Sequence, residues 1–376
     1  VRVSEAIELY EGLISRALKR GDPACVKIAG EASSNLAEAY MQQGSLEMAR
    51  RHQRRAVELC PAHAGIGSNW VRGLACMGEV DPVASLEEHR RWRQTYTRRI
   101  APMRVENERD PDRPLRIGFV SPDFRYHSVA HFLLPLFERH DPARYAFFGY
   151  SAAAKEDDYT VRLARSAQQW RKIVGHSDSQ AAASVHADRV DILVDLAGHT
   201  GGNRMPLFAY RPAPIQVAWL GYPATTGGSG MDYRITDALA DPPGLTESHF
   251  VERLWRLDRP AWCFRPSADV PPVPRERSGP LTFGSFNSAT KYADSTLRLW
   301  ANVLRAAPAS RLLLKAVALS DEGTRRVVMQ RFAALGIDAQ RIVLRDPQRD
   351  PADHLASYRD MDVALDTYPY DGTTTT

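Results

Sequence analysis

The sequence predicts an α/β protein with two doubly wound parallel-sheet lobes, preceded by an α-helical region. Three observations predict it. Ala, Glu, Arg and Leu recur at helical spacing through residues 1–105, with no convincing strand. From residue 113 onward, short apolar runs alternate with helical segments, the pattern of strand–helix–strand units. Residues 265–280 then concentrate Pro266, Pro271, Pro272, Pro274 and Pro280 among few apolar residues, which marks a linker between two such series. A chain of 376 residues has room for all three parts, and 44% hydrophobic with 25% charged residues excludes a disordered or collagen-like chain.

In the helical part, Leu36, Tyr40, Ala49, Ala56 and Pro61 fall on the roughly 34-residue tetratricopeptide pattern, with Ala37 where Gly is usual. Small residues there let two antiparallel helices approach, and Pro61 ends the second. Residues 69–78 echo the helix–turn portion, whereas 1–29 are degenerate. A short stacked array is expected, because one repeat cannot bury its own face. The basic runs 50–55 and 90–93 read as solvated helix faces, with no RNA-binding signature beside them.

In the first lobe (113–264), strands are expected at 115–120, 145–150, 191–196 and 214–219, with a helix over 129–138. In the second (281–376), strands are expected at 281–286, 311–315, 341–344 and 361–366, with helices over 295–306, 322–335 and 352–357. Two such lobes on a Pro-rich hinge predict a ligand cleft at the carboxyl ends of the strands.

The loop after the first strand, 121–131, carries the first candidates. His127 titrates near neutrality, and Asp123 can orient it or accept a proton. Ser128 is placed to cap the following helix, and His131, one turn along, reads as a core residue. Loops 196–202 and 219–228 also follow strands, and their Gly and hydroxyl residues let backbone approach a ligand. In the second lobe, Lys291 at the end of 284–291 is a cation that can neutralise a diphosphate leaving group. Gly372, Thr373, Thr374, Thr375 and Thr376 stand at an expected helix start, where open N–H groups favour phosphate.

Other chemistries lose support. No segment reads Gly-x-x-x-x-Gly-Lys-Ser/Thr, so Walker-type ATP chemistry is not expected. Asp360 and Asp362 have a metal-gripping form, but the apolar run after them sends the two carboxylates to a helix end or surface, and no His/Cys cluster suggests zinc. A net charge of +4 permits anionic partners without demanding nucleic acid. No apolar run is long enough to span a membrane, and residues 1–5 show no signal peptide. Cys25, Cys60, Cys76 and Cys263 form no Cys-x-x-Cys, so a reducing, cytoplasmic setting is expected. The chain starts without Met and stops in a Thr run, as a fragment would.

Segments 115–131, 191–226, 231–243, 284–291 and 361–376 together resemble the tetratricopeptide-containing, nucleotide-sugar-dependent O-linked N-acetylglucosaminyltransferases, bacterial homologues included. Arg211-Pro212-Ala213-Pro214-Ile215-Gln216, leading into Trp219-Leu220-Gly221-Tyr222-Pro223, is especially specific. The resemblance runs from about residue 30 to the end. It implies a two-lobed GT-B fold with no required metal or cofactor. It also implies inverting transfer of N-acetylglucosamine from UDP-GlcNAc to Ser or Thr hydroxyls of acceptor proteins, which the groove of the repeats would present.

By the same resemblance, Lys291 contacts the donor diphosphate, with Asn287, Ser288, Gly372, Thr373, Thr374 and Thr375 also on the donor side. His354 stacks on the uracil, Leu220 and Gly221 line the sugar pocket, His127 stands beside the sugar, and Asp123 helps remove the acceptor proton. The chain departs from animal members at His127-Ser128-Val129, where they have His-Pro-Thr. It also has Ser288 at a donor-contacting Gln position and Pro351 at a Lys position near the uracil. Runs 284–287 and 372–376 look equally similar to plant relatives that transfer fucose from GDP. A GDP-fucose donor is therefore one alternative, and an inactive repeat-bearing scaffold another. The family continues past Thr376, with a carboxylate expected at the ribose.

Overall fold

The computed structural model describes residues 2–77, 80–265, 279–348 and 350–372. Most of the expected linker (266–278) and Thr373, Thr374, Thr375 and Thr376 lie outside the described residues. The chain forms two compact units, one of residues 67–72 with 81–265 and the other of the remainder.

Helices α1 (Val3–Arg20), α2 (Pro23–Gln43) and α3 (Leu46–Leu59) open the chain. Asp22 caps α2 by accepting from the Cys25 N–H at 2.9 Å, and Gly44 ends it in the left-handed conformation, φ +80°. The repeat positions Leu36, Ala49 and Ala56 are fully buried, because α2 and α3 run close together. Gly30 of α2 leaves so little room that a Cβ there would lie 2.3 Å from Cys60 Sγ. Arg51, Arg54 and Arg55 are exposed along α3, as a solvated face requires. Helix α4 (Ala64–Cys76) contributes residues to both units, and α5 (Pro82–Tyr96) belongs to the unit that follows.

That unit contains β1 (Leu115–Ser121), α6 (Ser128–Arg139), β2 (Tyr145–Ser151), α7 (Asp158–Arg165), β3 (Gln169–Lys172), α8 (Asp178–Ala187), β4 (Ile192–Asp195), α9 (Met205–Ala209), β5 (Ile215–Ala218), β6 (Tyr233–Asp237) and β7 (Arg253–Leu257). Among the described residues they make a seven-stranded sheet in the order β3-β2-β1-β4-β5-β6-β7, all pairs parallel. Phe119, Phe137 and Phe147 pack ring on ring beneath it, with Leu133, Leu163 and Leu196 fully buried. Chain order reverses between β1 and β4, so the loops leaving those two strands flank the crevice where such sheets bind ligands. Strands β3, β6 and β7 were not anticipated. Each carries Arg or Lys among its apolar residues, and β3 and β7 are edge strands, so none offers a continuous apolar run.

The four-stranded unit continues with β8 (Thr282–Ser285), α10 (Asp294–Ala306), β9 (Arg311–Lys315), α11 (Glu322–Ala334), β10 (Ile342–Arg345), α12 (Pro351–Ala356) and β11 (Val363–Ala364). Its order is β10-β9-β8-β11, again parallel. Strand β11 is shorter than the expected 361–366. Asp360 instead ends a 3-10 turn and pairs with Arg345, while Asp362 accepts from the Thr282 N–H at 2.8 Å. The first helices share one apolar core with this sheet: Ile7, Ile14 and Leu36 join Leu297, Trp300, Leu314 and Phe332. Ser4 Oγ donates to Asp321 at 2.7 Å and Arg331 to the Gly44 carbonyl at 2.9 Å, closing the same contact with polar groups. Among the described residues, no helix is long and apolar enough to cross a membrane.

Candidate functional site

In the seven-stranded unit, β1 ends at buried Ser121, whose Oγ accepts from the Asp123 N–H at 2.9 Å. This turn leaves the Asp123 carboxylate buried beside His127. His127 itself caps α6, so Ser128 is the first helical residue rather than the cap. Its Nδ1 accepts from the Val129 N–H at 3.3 Å, which puts the proton of the neutral ring on Nε2. Nε2 stands 3.7 Å from Asp123 Oδ1, and Arg125 reaches the same oxygen at 3.4 Å. Burial pushes Asp123 above the usual carboxylate range and His127 below that of an exposed imidazole; their mutual attraction only partly offsets this. Of the two, the carboxylate keeps lone pairs able to take a proton. His131 is half-buried rather than in the core, edge-on to Tyr126 and Tyr159 at 5.6 Å each.

The loops after β4 and β5 interlock. A Cβ on Gly221 would lie 1.9 Å from the Leu196 carbonyl oxygen, and one on Gly198 (φ +55°) 2.3 Å from Tyr222 Cβ, so glycine permits both contacts. Leu220, between Trp219 and Gly221, adopts φ +66°, a conformation side chains avoid. A Cβ on Gly202 would meet Pro122 at 3.0 Å, which brings the β4 loop against the β1 loop. Beneath them, buried Asp195 accepts from the Ala197 and Gly198 N–H groups at 3.2 and 2.7 Å, while burial pushes its pKa up to about 7. Thr225 and Thr226, in a loop expected to let backbone approach a ligand, both bond the buried Glu252 carboxylate. Their role is to hold the loop.

In the four-stranded unit, the loops after β8 and β11 flank the point where strand order reverses. Asn287 Nδ2 donates to Asp366 Oδ1 at 3.0 Å, and that oxygen also accepts from the Thr367 and Gly372 N–H groups at 2.7 and 2.8 Å. Ser288 caps the turn Ala289–Lys291. Lys291 Nζ donates to the Asp371 carbonyl at 2.5 Å and lies 4.2 Å from the Tyr370 ring centre. Burial lowers its pKa, against the pull of Asp371, Cys76 and Asp366. Asn287, Ser288, Lys291 and Gly372 thus converge on one sheet edge. His354, on α12, lies 6.1 Å from Phe286, the residue before Asn287, and 5.8 Å from Tyr358 between ring centres.

Residues 97–261 match the family model for glycosyl transferase family 41. The probable UDP-N-acetylglucosamine–peptide N-acetylglucosaminyltransferase SPINDLY of Oryza sativa subsp. japonica is 39% identical over 331 residues, 86% of this chain and 36% of that protein. Its Arabidopsis thaliana counterpart is 39% identical over 325 residues, 84% of this chain and 35% of that protein. A solved structure of a mutant O-GlcNAc transferase from Thermobaculum terrenum superposes with TM-score 0.87 at 31% identity, covering 100% of this chain and 80% of that one. The chain belongs to glycosyl transferase family 41. This family 41 chain has a GT-B-like α/β architecture behind its helices, and it spans little more than a third of the length of the plant relatives it matches.

Two further residues near these loops were not singled out from the sequence. Lys315, buried at the carboxyl end of β9, donates to Gln348 Oε1 at 2.9 Å and to the His354 carbonyl at 3.3 Å, with its Nζ 3.9 Å from the Phe286 ring centre. Burial pushes its pKa down to about 8. A Lys closing an apolar strand was the available signal. Asp366, which organises the β11 loop, gave a similar signal as the last residue of the expected strand.

Proposed function

We propose that this chain is the catalytic part of an inverting, metal-independent glycosyltransferase that moves N-acetylglucosamine from UDP-GlcNAc to Ser or Thr hydroxyls of proteins. Lys291 carries the reading: a partly desolvated ammonium at the switch point of a parallel sheet, held against the Asp371 carbonyl, is suited to a diphosphate. In the reaction, the acceptor oxygen bonds the anomeric carbon as the bond to the β-phosphate oxygen breaks. Lys291 stabilises the electron pair that leaves with UDP. Asp123, with His127 Nε2 3.7 Å away, takes the acceptor proton late in the step, when even a modest base suffices.

Leu220 and Gly221 line the sugar pocket, His354 stacks on the base, and helices α1, α2 and α3 present the acceptor protein. The plant relatives bear the name of this activity, which supports the reading. The test is calorimetric titration of UDP into wild type and Lys291→Ala. Affinity should fall ~10-fold or more, because losing a hydrogen bond from a charged group costs about 1.5–3 kcal/mol. Equal affinity in the two proteins, or tighter binding of GDP than of UDP, counts against it.

A further inference from the structure

We propose that His89, Tyr222 and His199 form a buried positioning clasp that holds Leu220 and Gly221 in the backbone conformation the donor sugar requires; this rests on reading those two residues as sugar-pocket residues. None of the three is assigned to contact substrate, so they are positioning residues.

The hydrogen bonds dictate both tautomers. His89 Nδ1 lies 2.7 Å from the Ser85 carbonyl, which can only accept, so Nδ1 carries the proton. Nε2 is then the acceptor, and Tyr222 Oη donates to it at 2.7 Å. In His199, Nε2 faces the Thr226 carbonyl at 3.1 Å and must donate, which leaves Nδ1 to accept from Ser68 Oγ at 3.1 Å. All four ring nitrogens are therefore engaged. Burial lowers the pKa of both rings, that of His199 to about 3, so neither carries charge near neutrality. Trp92 stands edge-on to His199 with ring centres 4.6 Å apart.

The clasp reaches the loops through glycines. Gly227, at φ +76°, has no room for a Cβ, which would lie 2.3 Å from the His89 carbonyl oxygen. Gly198 admits the Tyr222 ring in the same way, and the Tyr222 carbonyl accepts from Arg234 at 3.0 Å. Tyr222 is thus tied at its hydroxyl, ring and carbonyl, two residues after Leu220. The left-handed backbone at Leu220 is unfavourable for a side chain and persists only where its surroundings over-determine it. Hydrophobic packing would bury this loop without selecting one geometry; a network that engages all four ring nitrogens of His89 and His199 selects one.

The experiment compares intact wild type, Tyr222→Phe, His89→Gln and His89→Phe. Calorimetry with UDP-GlcNAc and with UDP, and deuterium exchange of amides 219–222 without ligand, are the readouts. Tyr222→Phe should weaken UDP-GlcNAc at least 5-fold, leave UDP unchanged and speed exchange at 219–222 at least 5-fold. His89→Phe should match it and add nothing in the double variant, whereas His89→Gln, which retains an acceptor, should recover most of the loss. Unchanged exchange in Tyr222→Phe, or equal weakening of UDP and UDP-GlcNAc, overturns the clasp. If wild type binds UDP-GlcNAc no better than UDP, the sugar-pocket reading fails instead, and the exchange rates still decide whether the loop is clasped.

Discussion

Lys291 and Asp371 are eighty residues apart in sequence, yet the ammonium of one donates to the backbone carbonyl of the other at 2.5 Å. The contact places a cation over the loop that Asp366 folds with its carboxylate. An ammonium has three N–H donors, and one carbonyl engages one of them. The remaining positive character is what a diphosphate would meet.

Nucleotide affinity should therefore fall at alkaline pH. Burial lowers the Lys291 pKa below its usual 10.5, and only the protonated form attracts phosphate. Affinity for UDP should be flat near neutrality and decline as pH rises through the lowered pKa. Lys291→Arg, whose guanidinium stays charged, should decline less between pH 7 and 10. Parallel titrations of the two proteins across that range check this.

Gly221→Ala should destabilise the protein by roughly 2–3 kcal/mol, since its Cβ would meet the Leu196 carbonyl oxygen, a backbone atom, at 1.9 Å. Gly201→Ala, with nothing within 4 Å, should stay within about 0.5 kcal/mol of wild type. Urea midpoints of the two variants measure the contrast.

Asp195→Asn should remove a specific part of the pH dependence of stability. The Asp195 pKa rises from 3.8 to about 7 on folding, chiefly through burial and also through Glu252, against the Gly198 and Ala197 amides. A group that binds its proton more tightly when folded stabilises fully below its unfolded pKa, and loses that contribution as pH rises through the folded value. The wild type should lose on the order of 4 kcal/mol relative to Asp195→Asn between about pH 4 and 7. Denaturation series of both proteins at fixed ionic strength test the sign and the window.

Asp321→Ala should cost about 1–2 kcal/mol. The carboxylate caps α11 through the Thr324 N–H at 2.8 Å and also accepts from the Ser4 N–H and Oγ–H at 3.2 and 2.7 Å. Ser4→Ala, which keeps the cap, should lose less. These bonds hold the Asp321 pKa below 3.8, so the wild-type advantage is present above that value and shrinks as pH falls through the lowered one. Chemical denaturation of the two variants near neutrality and in acid reads both effects.

The loop carrying Asp123 and His127 was legible because everything that builds it is local. An apolar strand, a turn at Pro122 and a helix start lie within seventeen residues, and the cap bond spans two of them. Its error was local too: Ser128 has the usual capping hydroxyl, but the ring of His127 took the position. Strands β3, β6 and β7 were illegible because an edge strand, or one with Arg among its apolar residues, lacks the run that marks a buried strand. The small residues of loop 219–228 suggested close backbone approach to a ligand, but Glu252, twenty-six or twenty-seven residues on from Thr226 and Thr225, claims both of their hydroxyls.

The sequence by itself determined the α/β alternation, the tetratricopeptide-like pair of helices, and which short loops concentrate Gly, His, Lys and carboxylates, because those depend on hydrophobic period and turn chemistry over a few residues. Tertiary structure alone decided that Ile7, Ile14 and Leu36 share a core with Trp300 and Phe332, that Lys291 meets Asp371, and that His89 reaches Tyr222. Periodicity says that a face must be buried and cannot say against what. A partner eighty or more residues away is chosen by how surfaces fit once the chain has collapsed, and no local signal encodes that choice.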